Sequence, residues 1–286
     1  MRNTQLGRVW IAGADGRVAR EFVKLLDTRE TELFLTDRED RDVSDADGVN
    51  MFAEMNRPDV IINCAGITDV QLCETEPELA YRVNALGARN LAVAARRVNA
   101  RIVQLSTDDV FDGKTDTYYS EFDQPAPFTV YGKSKLAGEN FVKDLAPKHL
   151  IIRSSWVYGE GKNFVNDLLE SARGEKEILV PENQVAAPTS ALEVAKCILR
   201  LLTEEAYGTY HAVCSGSCSR YEFAAKILQL AGLEARIIPA FSDDLPDISM
   251  RPARSVLYNM MLRISCMETP VSWQEALETY IRSLKN

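Results

Sequence analysis

Tyr131 and Lys135 lie at positions i and i+4 of the run Tyr131-Gly-Lys-Ser-Lys135. On a helix these positions share one face, so a phenol and an ammonium become neighbours. A nearby cation stabilises phenolate and lowers the tyrosine pKa. The pair therefore predicts a tyrosine that can exchange a proton near neutral pH, which an unperturbed phenol near ~10 does poorly. The amine is also placed to hold a ribose hydroxyl. Taken alone, Tyr-x-x-x-Lys equally describes a solvated helix face. Ser106-Thr107-Asp108-Asp109 adds a hydroxyl at the end of an apolar run, where it can bind a substrate carbonyl. A strand-end turn is the plainer account of that segment.

A third group is the loop Gly13-Ala-Asp15-Gly16-Arg17-Val18-Ala19, between an apolar run and a helical pattern. Gly13 allows a tight turn, Gly16 lets the backbone approach a pyrophosphate, and Ala19 is small enough for helix–strand packing. Asp15, Arg17 and Val18 are assigned to the cofactor with the glycines. Asp37 follows about twenty residues later, where a carboxylate can accept hydrogen bonds from an adenosine ribose and favour NAD(H). Arg38 beside it can meet a 2′-phosphate, so the cofactor is NADP(H) or NAD(H). Asp42 and Val43 fit beside the adenine, and a surface turn explains them equally well. Asn63-Cys-Ala65-Gly66, with Ile67 after it, ends another apolar run with small residues, as a backbone lying against a cofactor requires. A simple turn needs no more.

These loops lie far apart in the chain, and a parallel sheet can bring them to one edge. Strands read at 8–12, 32–36, 59–63, 101–106 and 150–153, and helices at 17–26, 45–55, 77–98 and within 128–145. Alternation of this kind implies βαβ units with right-handed crossovers. The strands are continuously apolar, as burial between two helical layers requires. The fold class is α/β, a Rossmann-type doubly wound parallel sheet. After residue 155 the pattern loosens into helices at 163–173, 190–202, 219–230 and 272–284. Loops bearing Pro181, Pro188, Pro239, Pro246 and Pro252 separate them. Ser219-Arg-Tyr-Glu222 has capping-box spacing. We assign 1–155, with later returning segments, to an NAD(P)-binding domain. Residues 156–286 go mostly to a small substrate-binding lobe.

The chain has 286 residues, 46% of them hydrophobic, and a formal net charge of −9. That charge disfavours nucleic acid and anionic membranes as partners. Residues 1–7 contain no signal segment, and no apolar run approaches the ~20 residues of a membrane helix. The cytoplasm is the expected location. The six cysteines form no C-x-x-C pair, and free buried thiols account for them better than zinc.

Further stretches carry a family resemblance. They include Arg57-Pro-Asp-Val-Ile-Ile-Asn63, Glu76-Pro-Glu-Leu-Ala80, Val83-Asn84, Val110-Phe-Asp-Gly113, Val130-Tyr-Gly-Lys-Ser-Lys-Leu-Ala-Gly-Glu139 and Arg153-Ser-Ser-Trp-Val-Tyr158. Asn163-Phe164, Gln184, Ala187-Pro-Thr189, Arg251-Pro252, Ser255 and Leu257 complete the set. With these the chain resembles the extended short-chain dehydrogenases/reductases, and among them the dTDP-4-dehydrorhamnose reductases. The resemblance implies Tyr131 as general acid, Lys135 as its partner and ribose anchor, and Thr107 orienting the substrate carbonyl beside Asp108. It implies Trp156 against the sugar ring and Arg251 at the nucleotide phosphates. A core tryptophan and a surface salt bridge are the plainer accounts of these last two. The implied substrate is a dTDP-linked 4-keto-6-deoxyhexose, and the implied assembly is a monomer or homodimer. Asp109, Gln71, Arg254 and Tyr258 depart from the family pattern. Glu21 fits a carboxylate that binds magnesium in some members, but its partners are not evident, so no metal is expected. Two other readings stand beside a reductase. The first is a 4,6-dehydratase or epimerase with tightly held NAD, suggested by Asp108-Asp109. The second is a non-catalytic NAD(P)-binding subunit.

Overall fold

The computed structural model describes residues 6–174, 177–244 and 250–285. Pro246 and the first five residues, read above as part of a loop and of a start without a signal segment, lie outside them. The chain begins β1 (Gly7–Ala12), α1 (Arg17–Leu25), β2 (Thr31–Thr36), α2 (Ala46–Asn56) and β3 (Val60–Asn63). The expected long helix is three pieces: α4 (Pro77–Tyr81), a π-helical turn (Arg82–Gly87) and α5 (Ala88–Val98), preceded by a short α3 (Val70–Thr75). Then come β4 (Arg101–Thr107), a 3₁₀ turn (Asp108–Val110), α6 (Val130–Leu145) and β5 (His149–Ser154). Side-chain caps mark several helix starts. Asp45 accepts from Gly48 N at 3.1 Å, and Thr129 accepts from Gly132 N at 3.0 Å. Such a cap stabilises its helix by about 1 kcal/mol.

The second half continues with β6 (Val157–Tyr158), α7 (Phe164–Gly174), β7 (Glu177–Pro181), β8 (Val185–Ala186), β9 (Thr189–Ser190) and α8 (Ala191–Thr203). It ends with β10 (Gly208–His211), β11 (Cys218–Ser219), α9 (Arg220–Ala231), β12 (Arg236–Ala240), α10 (Met260–Ile264) and α11 (Trp273–Ser283). Ser219 and Glu222 form the expected capping box, and Ser272 with Glu275 forms a second.

The main sheet has six strands, ordered β10-β5-β4-β3-β1-β2, all parallel. Alternate side chains of each strand face opposite layers. Val9 and Ile11 meet Phe22 of α1 and Ile198 of α8, whereas Trp10 and Ala12 meet Ala53 of α2 and Leu91 of α5. Burying such a side chain contributes about 1.5–3 kcal/mol. Strand β10 and helix α8 are thus returning segments that complete the sheet and one of its layers. Packing of α7, α9 and α11 around Phe223 and Trp273 makes a separate core for the lobe.

Strand order reverses between β1 and β3, whose carboxyl ends therefore flank an open crevice. This is where doubly wound sheets take their ligands.

Candidate active site

Two adjoining cavities of about 570 and 520 Å³ occupy that crevice. Both are lined by Asp15, Gly16, Cys64, Ala65 and Gly66. The smaller adds Gly13, Asp37, Arg38, Asp42, Val43 and Ile67. The larger adds Arg17, Val18, Thr107, Asp108, Tyr131, Lys135, Trp156 and Arg251. Every residue singled out above for the reductase reading lines one of the two, whereas Asp109, invoked for a dehydratase, is buried behind them.

The glycine loop is built for close approach. Gly13 has φ +78°, and a Cβ there would sit 2.5 Å from Ala65 N. The loops after β1 and β3 therefore touch backbone to backbone. Helix α1 starts at Gly16 without a side-chain cap and without an acid in its first turn. Its amides and positive dipole end suit a pyrophosphate. Arg17 reaches away from this end, donating to the carbonyls of Val157 (2.9 Å) and Lys162 (2.5 Å). Asp37 accepts from the amides of Glu39 (2.8 Å) and Asp40 (3.2 Å). Arg38 and Arg41 line the same cavity. Asn90 of α5 donates to Val43 O (3.0 Å) and fixes the Asp42–Val43 turn. Asn84, on the π-helical turn, accepts from Ile67 N (2.8 Å) and donates to Ile67 O (3.1 Å) and Ser134 Oγ (3.0 Å). It ties the post-β3 loop to the helix that carries Tyr131. The sequence singled out neither Arg41 nor Asn90, and placed Asn84 only within a matched stretch.

Tyr131 and Lys135 are 7% and 6% exposed. Thr107 lines the same cavity as the phenol. The expected lowering of the tyrosine pKa is overturned. Burial and then the Asp109 carboxylate push the phenol up, against smaller lowering effects of Arg251 and Thr107. Lys135 Nζ instead donates to Leu105 O at 2.7 Å, and burial brings the amine down to about 8. A phenol held protonated is the form needed to give a proton to a ketone being reduced.

The paired aspartates are tied separately. Asp108 accepts from Ser155 Oγ (2.8 Å), Ser255 Oγ (2.5 Å) and Thr107 Oγ1 (3.2 Å). Burial raises its pKa, which the two serine hydroxyls oppose. Asp109 forms an ion pair with Arg251, Oδ2 to Nη1 2.9 Å. Neither carboxyl stands free as the acid and base of a dehydration. Arg251, expected from the resemblance at the phosphates, is a cavity residue held by this buried acid. Trp156, at φ +43°, lies under the Arg220 guanidinium, 3.4 Å from the ring centroid. A non-glycine residue in that region is strained, a condition that clusters at functional sites. Arg220 lines the cavity but was read in the sequence only as part of a capping box. Its neighbours, Trp156 and Phe164, come from elsewhere in the chain. Glu21 bonds Lys24 at 2.8 Å.

Helix α6 sits close to the aspartate turn because residue 132 is glycine. A Cβ there would lie 2.1 Å from Asp109 O. Gly132→Ala must shift α6 and Tyr131 with it. We expect an overpacking loss of about 1–3 kcal/mol and at least tenfold lower kcat, read by urea unfolding and steady-state assay. Unchanged stability and kcat would contradict the close approach.

A doubly wound sheet whose switch-point crevice holds a glycine loop, Tyr131, Lys135 and Thr107 defines an extended short-chain dehydrogenase/reductase, an oxidoreductase using a nicotinamide dinucleotide. The RmlD substrate binding domain family matches residues 7–286, and the chain belongs to it. It is 34% identical to the spore coat polysaccharide biosynthesis protein SpsK of Bacillus subtilis, over 96% of this chain and 97% of that one. The crystal structure of a dTDP-4-dehydrorhamnose reductase from Clostridium acetobutylicum superposes with TM-score 0.96 at 42% identity, covering 98% of this chain and all of that one. The same-named protein of Bacillus anthracis, solved in complex with NADP, gives TM-score 0.94 at 38% identity, covering 96% and 99%. Other curated relatives carry that reductase name. Among the described residues no helix is long and apolar enough to cross a membrane.

Proposed function

We propose that this chain reduces the C4 ketone of dTDP-4-dehydro-6-deoxy-L-mannose to give dTDP-L-rhamnose, using NAD(P)H. The observation that carries the reading is the meeting of Tyr131, Lys135 and Thr107 in a crevice that also holds the glycine loop. The names of the full-length relatives support it. Gly13 through Val18 with Ala65 to Ile67 would hold the pyrophosphate and nicotinamide half of the cofactor. Asp37, Arg38, Asp42 and Val43 would hold the adenosine half. The bound dinucleotide supplies the hydride.

In this reading Tyr131 is the general acid and gives its hydroxyl proton to the O4 oxygen as negative charge develops there. Thr107 Oγ1 donates a hydrogen bond to the same oxygen, turning from Asp108. Lys135 anchors a ribose hydroxyl. Its charge, buried in a low-dielectric site, favours the phenolate left after transfer. Trp156 packs against the sugar, and Asp108, tied to the buried Ser155 and Ser255, stays in the wall of the site. We divide the labour between the sheet domain (1–155, with α8 and β10) for the cofactor and the remaining lobe for the sugar nucleotide. The six free cysteines suit a reducing compartment, and we assign the reaction to the cytoplasm.

The test is oxidation of NADPH and of NADH by the purified chain with the 4-keto sugar nucleotide, with product identified by NMR. Stoichiometric cofactor oxidation and a rhamnose product are expected. Turnover with co-purified NAD and no net oxidation would instead indicate an epimerase or dehydratase.

A further inference from the structure

The Asp109 carboxylate is 1% exposed and accepts a charge-assisted hydrogen bond from Arg251. Arg251 differs in its access. Its side chain is 28% exposed, it lines the larger cavity, and its guanidinium lies 5.9 Å from the centroid of the Tyr131 ring. A guanidinium carries five N–H donors, so most of its capacity remains for whatever enters that cavity. The Arg220 guanidinium faces the same space, stacked 3.4 Å from the Trp156 centroid and 4.6 Å from that of Phe164. Arg220 forms no salt bridge among the described residues, though Asp108 and Asp109 act on it through space. Two cations thus converge on one cavity, with a single buried carboxylate paired behind one of them. The arrangement suits an anion bearing more than one charge.

We propose that Asp109 is a positioning residue that holds Arg251 over Tyr131 in the free protein and takes up a proton from solvent when the diphosphate of the sugar nucleotide becomes Arg251's partner. The inference rests on the sugar-nucleotide reading above. A buried carboxylate whose counter-charge is taken by an anion loses its compensation, and the neutral acid becomes the cheaper form. The charged and titratable groups facing it are Asp108 on the same turn, Tyr131 on α6, Arg220 on α9 and Arg251. Burial above all has already raised Asp109 to about 6, with Arg251 opposing and Asp108 reinforcing the rise. Diphosphate binding adds like charge. Asp109 is one of the departures from the family pattern noted above.

The experiment is calorimetry of dTDP-glucose binding to the full chain saturated with NADP, near pH 7.5, in buffers of different ionisation enthalpy. This diphosphodiester does not itself titrate near neutrality. Wild type is expected to take up close to one proton per ligand bound. Its affinity should weaken roughly tenfold per pH unit above neutrality, as linkage requires. Asp109→Asn and Asp109→Phe should each bind with no uptake and a flat pH dependence. The second variant fills the buried position with an apolar ring and guards against a misfolded first. No binding by wild type, binding without uptake, or uptake retained in both variants overturns the proposal. Uptake without NADPH oxidation on the 4-keto sugar leaves it standing and removes the reductase reading. Turnover without uptake does the reverse.

Discussion

Replacing Tyr131 with phenylalanine is expected to lower kcat about 10²–10⁴-fold, the usual contribution of a positioned general acid. NADPH affinity should change little, because the ring remains and the glycine loop and Lys135 are untouched. The buried phenol is protonated over the whole working range, since burial and Asp109 both raise it. The first of the pair to lose a proton on raising the pH is Lys135, at about 8. At saturating substrate the alkaline limb of kcat should therefore fall near 8 in wild type and persist in the residual activity of Tyr131→Phe, whereas kcat/KM also carries the Asp109 linkage. A variant with near wild-type kcat removes Tyr131 as the acid. A limb that vanishes with the hydroxyl reassigns it from Lys135 to Tyr131.

The largest expected loss of stability lies one turn further along the same helix. Glu139 is fully buried and accepts both arms of Arg153, at 2.8 and 2.7 Å, with Ser106 Oγ at 2.6 Å and Lys143 Nζ at 3.3 Å. Glu139→Gln leaves Arg153 buried beside a neutral amide. Breaking a buried pair in this way costs about 3–5 kcal/mol, measurable as a shift in the urea midpoint at constant m-value. A variant within about 1 kcal/mol of wild type would show the pair to be dispensable. Burial alone would raise the Glu139 carboxyl, but Arg153, Lys143 and Ser106 outweigh it and hold the group below the ordinary range. Its stabilisation is therefore complete above the unfolded value near ~4.3 and is lost as pH falls through the depressed folded value. Acid sensitivity begins earlier, because His211, paired with Arg153 across β10 and β5, is brought down to about 3, first by burial and then by Arg153. The unfolded chain binds that proton below ~6.5 and the folded chain does not, so stability declines from there toward about 3.

Local signals were legible in the sequence wherever a short stretch carries its own physics. Apolar runs gave the first five strands, and the Ser219–Glu222 spacing gave a helix start. Glycine spacing located the loop that lines the switch-point crevice, and i, i+4 spacing put Tyr131 and Lys135 on one helix lining the same cavity. Failures arose where the deciding partner is distant in the chain. Periodicity could not reveal that Lys135 reaches the Leu105 carbonyl, nor that Asp109 from the far side would raise the phenol. Arg220 looked like an ordinary first residue of a helix, since the rings that stack on it come from positions 156 and 164. Strand β10 has four residues, and β7 and β12 pair with each other across 54 residues or more of chain, so each lacks a local signature. The π-helical turn at 82–87 reads as plain helix until Asn84 is seen clasping Ile67.

Because β10 supplies an edge of the main sheet and α8 roofs one of its layers, the first 155 residues of this chain are no detachable cassette. Cutting after residue 155 would strip β5 of its neighbour and bare Val9, Ile11 and Ile152 to water. Such a fragment would present an open strand beside an oily face, the makings of an aggregate. A graft of this scaffold onto another protein must carry the chain through β10.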